Sequence, residues 1–321
     1  MLAYLLRRLA AGVVTILGVL LFLFVLFFLV AKPEDVARKA LGERAPKAAV
    51  EQWIVNHGYD RPRFWNPDHP ADTMLVDHFR RMLTFDFGAS DADDVPISKR
   101  LREGIGPSLS LTLPLFVLGL LLGIPLALLV AFFRDTYIDR AGVVACVLLM
   151  SVSTLLYIIG GQYLLGKILR WFPISGFDPV PGVIARFLAL PVIVGVIAGL
   201  GDSIRFDRTV FVEETGKDYV RTARAKGAGE ARIMLRHVLR NGLIPILTQI
   251  VIAIPFLFTG SILLESFFGI PGLGSITVDA INANDFATLR TMVFIGSLLF
   301  VVGQILTDVS YTLADPRVRL E

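Results

Sequence analysis

A glycine–lysine motif is the first candidate for chemistry in the chain. Gly161 and Gly166 are followed directly by Lys167, which is the spacing of a phosphate-binding loop. Such a loop ends with a serine or threonine whose hydroxyl binds magnesium, and Ile168 stands at that position. The motif also lies in a long apolar stretch. It therefore predicts no nucleotide site, and we expect the chain to be neither an ATPase nor another enzyme.

Histidines and aspartates, which are residue types that bind zinc, share a polar stretch near the N-terminal end. The residues concerned are His57, His69, His78, Asp60, Asp68, Asp72 and Asp77. Their spacings match no compact ligand pattern, so a solvated polar loop explains them better. We expect no metal site and no cofactor bound by this chain.

Hydroxyl groups interrupt another apolar stretch at Ser151, Ser153, Thr154 and Tyr157. A membrane-embedded enzyme needs a base or a metal beside such a nucleophile. No histidine or acidic residue of the same stretch is within reach. Polar packing between helices accounts for these side chains. They are also candidates for lining a path through the membrane, because a large hydrated solute needs hydroxyl and aromatic surfaces rather than a charged trap.

The overall composition calls for a lipid environment. Of 321 residues, 55% are hydrophobic and 18% are charged, and the mean hydropathy is +0.68. A membrane helix needs about 20 mainly apolar residues. Such stretches lie near 9–31, 109–133, 141–165, 180–201, 243–264 and 292–313. We predict an all-α membrane protein with six transmembrane helices.

Charged residues fall near the ends of these predicted spans. They are Arg186, Asp202, Glu265 and Asp308. Snorkelling of each side chain to water explains this position. An ion-coupled secondary transporter, in contrast, places ionisable groups near the middle of the membrane. The sequence therefore disfavours that class of transporter.

The orientation in the membrane follows from lysines and arginines in short loops. Six spans place both termini on one side, and that side carries 15 of these residues in the N-terminus, in 134–140, in 204–241 and at Arg317 and Arg319. The opposite side carries only four in short segments. Segment 32–106 is discounted for its length, and its 12 basic residues are balanced by 13 acidic ones. We predict that both termini are cytoplasmic.

Three units follow along the chain. Residues 1–31 form a cytoplasmic N-terminus and the first span, 32–106 an external segment, and 107–321 a core of five spans. The external segment has helix-like stretches from Pro33 to Val55 and from Met74 to Leu83. We predict a small helical cap outside the membrane.

Residues 204–241 form a second polar segment, on the cytoplasmic side. Asp218 to Lys226 suits a short helix, Gly227 and Gly229 break it, and Glu230 to Arg240 suits a second helix. In the second helix arginines repeat every four residues opposite an apolar face. Amphipathicity alone favours a helix resting on anionic lipid headgroups.

The string DYVRTARAKGAGEARIMLRHVLRNGLIP, from Asp218 to Pro245, points further. It resembles the cytoplasmic loop signature of binding-protein-dependent ABC transporter permeases, in the peptide and nickel subfamily. The general family pattern is matched strictly at Ala223, Gly227 and Leu239. Departures associated with the peptide subfamily stand at Arg221, Thr222, His237 and Arg240.

The resemblance covers most of the chain. Further stretches similar to the family are residues 1–18, LGERAP, GYDRP, FDFGAS, LESFFGIPGLGSITVDAI and the ending LADPRVRL. Residues 171–211 match least. Because that stretch could carry substrate-facing residues, the sequence leaves the substrate open.

The resemblance implies a type I ABC importer fold in a bacterial inner membrane. It also implies a second homologous permease subunit, two cytoplasmic ATPase subunits that use ATP and magnesium, and an external solute-binding protein. Di- or oligopeptides are the implied substrate, with nickel, glutathione or an oligosaccharide as alternatives. The residues implied to contact the ATPase are Tyr219, Arg221, Ala223, Lys226, Gly227, Arg232, Arg236, His237 and Leu239.

Overall fold

The computed structural model describes residues 2–30, 33–42, 44–66, 69 and 72–314. Within these residues the backbone is mainly helical and forms no strand, only an isolated antiparallel bridge between Ala89 and Pro96. In chain order the helices are α1 (Leu2–Phe24), α2 (Pro33–Leu41), α3 (Lys47–Asn56), α4 (Met74–Leu83), α5 (Ile97–Phe132), α6 (Tyr137–Ser151), α7 (Thr154–Gly161), α8 (Ile184–Thr215), α9 (Asp218–Ala225), α10 (Glu230–Ile233), α11 (Leu239–Phe256), α12 (Ile262–Phe268), α13 (Leu273–Ala283) and α14 (Phe286–Ala314). π-Helical turns extend α1 to Val30 and α7 to Ile168, and another joins α10 to α11.

The predicted all-α membrane architecture is confirmed. Within the described residues, α1, α5, α8, the continuous α10–α11 helix and α14 contain stretches long and apolar enough to cross a membrane. The pair α6 and α7 passes the same test but is bent by 86°, and the pair α12 and α13 is bent by 80°. The predicted six spans correspond to the five straight helices and the first bent pair.

The break between α6 and α7 divides the predicted third span. Val152 and Ser153 both have extended backbone, so the helical hydrogen-bond ladder stops there. The Tyr157 hydroxyl donates to the Leu149 carbonyl at 2.8 Å, and the Ser151 hydroxyl donates to the Val147 carbonyl at 2.7 Å. Side chains therefore satisfy carbonyls near the break, as lipid-exposed backbone requires.

The helices that contain the predicted fourth and fifth spans have different limits from the apolar stretches. α8 has 32 residues and continues to Thr215, although the apolar run ends near 201. The fifth helix begins at Glu230 and ends at Phe256, not at 243 and 264. A helix can leave an apolar environment without ending, because polar residues such as Arg205 and Arg208 are compatible with helical backbone.

The pair α12 and α13, predicted as a loop, is held together by a buried carboxylate. Glu265 has no exposed surface. Its Oε1 accepts from Ser108 Oγ at 2.8 Å and Ser261 N at 3.0 Å, and its Oε2 accepts from Gly274 N at 2.7 Å and Ser275 N at 3.1 Å. The predicted snorkelling of Glu265 is therefore wrong, since four donors replace water.

Asp308 is a second correction to that prediction. Its carboxylate is mostly buried and lies 3.1 Å from Arg8 Nε. This ion pair links the first described helix to the last, and α1 packs along α14 over much of its length. The charge is balanced within the protein, so it needs no route to water.

The segment predicted to be external folds as three helices rather than two, within its described residues. α4 has the predicted bounds, whereas the predicted helix from Pro33 to Val55 is split into α2 and α3. The cap packs onto the end of α1 through a buried cluster that includes Phe24, Trp53 and Tyr59. Phe286, the first residue of α14, lies against the same cluster. The cap is thus anchored on both the first and the last spans.

Candidate functional site

The short helix α9 is fixed between the end of α8 and the start of the α10–α11 helix. Val220 is fully buried and Ala223 is nearly so. They join a core cluster with Phe211 of α8 and with Ile233 and Val238 of the following helix. α9 therefore shares one buried core with the helices on both sides.

The second half of the predicted helix-turn-helix differs from the prediction. Residues 230–240 are the first turns of the fifth span and not a separate surface helix. Met234 and Val238 are buried in the core cluster, while Leu235 is exposed. Gly242 allows the helix to continue past Phe211, because a Cβ there would lie 2.7 Å from the Phe211 ring. Packing against α8 therefore accounts for the buried part of the apolar face.

A glycine turn separates α9 from α10. Gly227 has φ +81°, in the left-handed region that glycine adopts without strain. Its N–H donates to the Arg224 carbonyl at 3.0 Å, and the next N–H, of Ala228, donates to the Ala223 carbonyl at 3.1 Å. A Cβ at Gly227 would meet no atom within 4 Å. The turn therefore requires glycine for its backbone, and its outer surface is uncovered.

The nine residues implied to contact the ATPase divide into two groups. The exposed ones are Arg221, Lys226, Gly227, Arg232 and Arg236. The buried or half-buried ones are Tyr219, Ala223, His237 and Leu239. The first group forms an exposed surface with four positive charges, and the second faces the rest of the protein.

Tyr219 illustrates the role of the inward-facing group. Its hydroxyl donates to Glu214 Oε2, which attaches α9 to the end of α8. Burial, with the Glu214 carboxylate adding to it, raises the pKa of Tyr219 to about 12. The phenol therefore keeps its proton, and the hydrogen bond persists at physiological pH.

Two bidentate ion pairs tie this region together. Arg208 of α8 donates to both carboxylate oxygens of Asp139 at 2.7 and 2.8 Å, and Asp139 is buried. Arg224 spans the glycine turn to Glu230 at 2.6 and 3.0 Å. The exposed Arg224 pair contributes about 0–1 kcal/mol, whereas the partly buried Arg208 pair fixes α6 to α8.

A groove of about 420 Å³ lies between α5, α8 and α11. Its lining is mainly apolar, with four polar side chains, Asp202, Ser203, Asp207 and Gln249. Gly119 also lines it, and a Cβ there would meet no atom within 4 Å. Asp202 was predicted at the end of a span, but it lies inside α8 and faces this groove. If the predicted helix had been extended past residue 201, helical spacing along α8 would have placed Asp202 and Asp207 on the side of the helix that lines the groove.

The hydroxyl-bearing residues predicted for a path lie elsewhere. Ser151, Ser153 and Thr154 are exposed at the break between α6 and α7, and Tyr157 is half-buried there. The groove lining includes none of these four. The structure thus brings Ser151 to Tyr157 together but away from the groove.

The predicted histidine and aspartate cluster is dispersed as well. The described residues contain no group of three or more His, Cys, Asp or Glu side chains arranged to hold a metal. His78 is buried, and its Nε2 donates to the Leu20 carbonyl at 3.2 Å. Asp68 lies outside the described residues, as do Arg317 and Arg319.

The structure combines membrane-type helices, a short helix α9 packed onto two of them, and a mainly apolar groove between three of them. Residues 123–320 match the family of binding-protein-dependent transport system inner membrane components. That match covers more than half of the chain, and the chain belongs to this family. It is a multi-pass permease subunit of a binding-protein-dependent ABC importer, a class that works with an ATPase and a substrate-binding protein.

Relatives span the full length of the chain. It is 33% identical over 325 residues, covering 100% of both chains, to a protein of Brucella abortus named as a peptide transport system permease. It is 31% identical over 321 residues, or 98% of this chain and 99% of the relative, to a protein of Sinorhizobium fredii named as a peptide ABC transporter permease. It is also 31% identical over 324 residues, 99% of each chain, to the glutathione transport system permease of Salmonella typhimurium.

Proposed function

We propose that this chain forms one half of the translocation path of an ATP-driven peptide importer. A second homologous permease supplies the other half, two cytoplasmic ATPases supply the energy, and an external solute-binding protein delivers the peptide. The observation that carries the proposal is the position of α9, which is packed against two of the three helices that line the groove, α8 and the continuous α10–α11 helix.

The coupling follows from this packing. α9 contacts Phe211 on α8, and Asp202 lies nine residues earlier on the same helix, about 14 Å along its axis. On the other side α9 contacts Val238, and Gln249 of the groove is on the same continuous helix. When the ATPases close and push α9, the ends of both helices move together. The groove between them then changes shape, which is the basis of alternating access.

The exposed basic surface suits an ATPase partner. Arg221, Lys226, Arg232 and Arg236 are exposed on, or directly next to, the helices that flank the uncovered turn at Gly227. Positive charge of this density favours an acidic rim on the partner and steers its association. The glycine permits close approach at the centre of the contact, because it adds no side chain there.

Peptides are the proposed substrate class. Two of the relatives are named for peptide transport. The groove offers Asp202 and Asp207 for an ammonium group, Ser203 and Gln249 for amide groups, and apolar walls for side chains. Glutathione is the alternative favoured by the Salmonella relative, while nickel and oligosaccharides have no feature in their favour here.

Both termini and α9 are proposed to be cytoplasmic, with the cap outside. The lysine and arginine bias of the short segments supports this orientation. Nucleotide and magnesium are proposed to bind only to the partner ATPases, so that this chain has no catalytic role and binds no cofactor.

Reconstitution tests the proposal. Proteoliposomes holding both permeases and both ATPases, with the binding protein outside, should accumulate a labelled dipeptide when ATP is enclosed. The purified chain alone should neither hydrolyse ATP nor accumulate the peptide under a proton gradient. Uptake driven by the gradient through the isolated chain would contradict the proposal and assign the chain to the secondary transporters.

A further inference from the structure

A second cavity, of about 440 Å³, lies beneath the external cap. Its walls come from the end of α1, from α3 and α4, from the stretch around 87–91 and from the start of α14. Aromatic side chains of Phe28, Trp53, Tyr59 and Phe87 line it. We call it the cap cavity. It shares no lining residue with the groove between α5, α8 and α11.

A buried arginine lines this cavity without a carboxylate partner. Arg290 is only 9% exposed, and the buried Asp91 carboxylate acts on its charge without forming a direct ion pair among the described residues. Its Nε and Nη1 have no hydrogen-bond partner among the described residues. The guanidinium carbon lies 4.4 Å from the centre of the Phe28 ring, which holds the group in place from one side.

Tyr59 adds a second unused polar group. It is 7% exposed and lines the same cavity, and its hydroxyl lies close enough to Arg290 to be influenced by the guanidinium but donates to no acceptor in the described part of the chain. Each buried group left unsatisfied in this way costs about 1–3 kcal/mol. Such a cost at three atoms in one place points to a ligand that provides acceptors.

The nearby acids are already occupied. Asp91 Oδ2 accepts from the Ala287 N–H at 2.8 Å. Asp285 accepts from the Ser90 hydroxyl and from the Thr288 N–H, and it lies 3.6 Å from Arg100. These carboxylates are therefore engaged in fixing the start of α14. They also disfavour a doubly charged anion such as sulfate at the same place, because like charges repel.

We propose that the cap cavity binds a small molecule carrying one carboxylate and an apolar or aromatic body. The carboxylate accepts hydrogen bonds from the Arg290 guanidinium and the Tyr59 hydroxyl, since arginine and carboxylate pair bidentately. The body of the ligand lies against Trp53 and Phe87. The volume and the mixed lining are those of a small-molecule site. This site does not depend on the proposed transport function.

The test compares an acid with its neutral isostere. N-acetylphenylalanine and N-acetylphenylalanine amide are titrated separately into the purified full-length chain in lipid nanodiscs, with calorimetry as the readout. The acid should bind and the amide should bind at least tenfold more weakly. Equal binding of the two, or binding of neither, overturns the proposal.

Matched variants locate the site. Tyr59→Phe removes only a hydroxyl without a partner, so the fold should be retained and affinity for the acid should fall about tenfold, the effect of one hydrogen bond to a charged group. Arg290→Gln should abolish binding of the acid. Unchanged affinity in Tyr59→Phe contradicts the assignment even if Arg290→Gln does not fold.

A third measurement, the association of each variant with the external solute-binding protein, distinguishes a small-molecule carboxylate from an acidic side chain of that protein. If both variants leave probe binding unchanged but weaken association with the external solute-binding protein, Arg290 contacts an acidic side chain of that protein. That result would overturn the small-molecule site.

Discussion

Two buried charged residues show how differently this protein treats ionic groups. The Glu265 carboxylate accepts four hydrogen bonds, three of them from backbone N–H groups. Arg290 is buried to a similar degree, yet two of its nitrogens have no partner among the described residues. A buried carboxylate with all its acceptor sites filled is a structural element, because it joins the segments that supply the donors. A buried guanidinium with unused donors is available to a ligand.

Replacing Glu265 with glutamine should destabilise the protein. A carboxamide has one acceptor oxygen, so its NH₂ group must face two of the four donors in either orientation. We expect a loss of about 2 kcal/mol or more. Thermal unfolding in detergent measures it. Asp279→Asn, on the exposed face of α13, is the matched control and should change stability by about 0.5 kcal/mol or less. Equal stability of the two variants would show that the four-donor network needs no carboxylate.

Gly227 should be essential for coupling ATPase closure to transport, because it has no side chain to obstruct contact with the ATPase. Gly227→Ala and Gly227→Leu both carry the same backbone cost of about 1–2 kcal/mol, since φ is positive there. Only leucine adds volume to the uncovered surface. We expect both variants to reach the membrane at normal abundance, with alanine retaining most uptake and leucine losing it.

The readouts for Gly227 are membrane abundance, co-purification of the ATPase and uptake by the whole complex. Gly229→Ala serves as a control, because Gly229 has φ −67° and alanine adopts it without strain. If the leucine variant transports as well as the alanine variant, the turn does not contact the ATPase.

At the scale of elements, the two polar segments are anchored by packing against spans. α9 buries Val220 and Ala223 against α8 and α11. The cap buries Trp53 and Tyr59 against the end of α1. In both cases a few apolar side chains on a short helix fix its position on a longer one. The packing of α9 connects α8 to the following helix. The packing of the cap on α1 encloses the cap cavity.

The sequence predicted some elements well for identifiable reasons. α4 has the predicted bounds, because Thr73 caps its first turn and a mixed apolar face follows. The turn at Gly227 was predicted because glycine is the only residue there that adopts positive φ without strain. These signals are local, so they can be found without knowledge of tertiary contacts.

Other features could not be predicted because their causes are distant in sequence. The donors of Glu265 come from α5 and from the start of α13. The break at Val152 lies in an apolar stretch that has no proline or glycine between positions 143 and 159 to mark it. Of the groove acids, Asp202 was predicted near the end of a span and Asp207 within the polar segment 204–241, because charge was used as the limit of a span. Tertiary packing decides all of these cases.

Acid should weaken the cap through His78. Burial, with the nearby Arg290 adding to it, lowers the pKa of His78 from 6.5 to about 4. The unfolded chain takes up this proton below about pH 6.5, the folded one only below about pH 4. Stability therefore falls as the pH drops through this window, by up to about 3 kcal/mol from this residue.

Hydrogen exchange at α4 measures the effect at pH 7 and at pH 4.5. His78→Gln keeps a donor for the Leu20 carbonyl but does not titrate, so the difference between the two proteins isolates His78 from other groups. The wild type should lose more protection on acidification than the variant. An identical loss in both proteins would exclude His78 as the cause.

At the scale of the whole molecule, the surface of the helices is largely apolar, and a few ionic contacts between helices are partly or fully buried. Large hydrophobic side chains are exposed along α1, α5 and α6, where lipid or a partner subunit covers them. Lipid tails are as apolar as the side chains of the core, so moving an apolar side chain from lipid into the core contributes little to the free energy of folding. Specific polar contacts, such as Asp139 with Arg208 and Arg8 with Asp308, therefore fix which helices are neighbours.

The orientation can be tested with single cysteines. The only native cysteine, Cys146, is buried, and Cys146→Ala provides the background. An impermeant maleimide should label Trp65→Cys in intact cells, because Trp65 is 70% exposed on the cap. It should label Arg134→Cys and Lys226→Cys only after the membrane is opened. Arg319→Cys, outside the described residues, should behave like Lys226→Cys.

Reporter fusions inserted at Asp91 or Asp139 would be a poorer test of the orientation. Both aspartates are buried and hydrogen-bonded, so an insertion there would disturb the fold. Labelling of Lys226→Cys in intact cells would reverse the proposed topology and remove α9 from the cytoplasm.

The ion pair between Arg8 and Asp308 has a consequence for biogenesis. The two residues are separated by three hundred positions, and α1 packs along α14. At about 5–20 residues per second, the ribosome reaches Asp308 roughly 15–60 s after it has made Arg8. For that time the first helix waits in the bilayer without the neighbour against which it finally packs. A slow stretch of translation late in the message would prolong the exposure of this helix to membrane proteases, although it changes no residue of the finished protein.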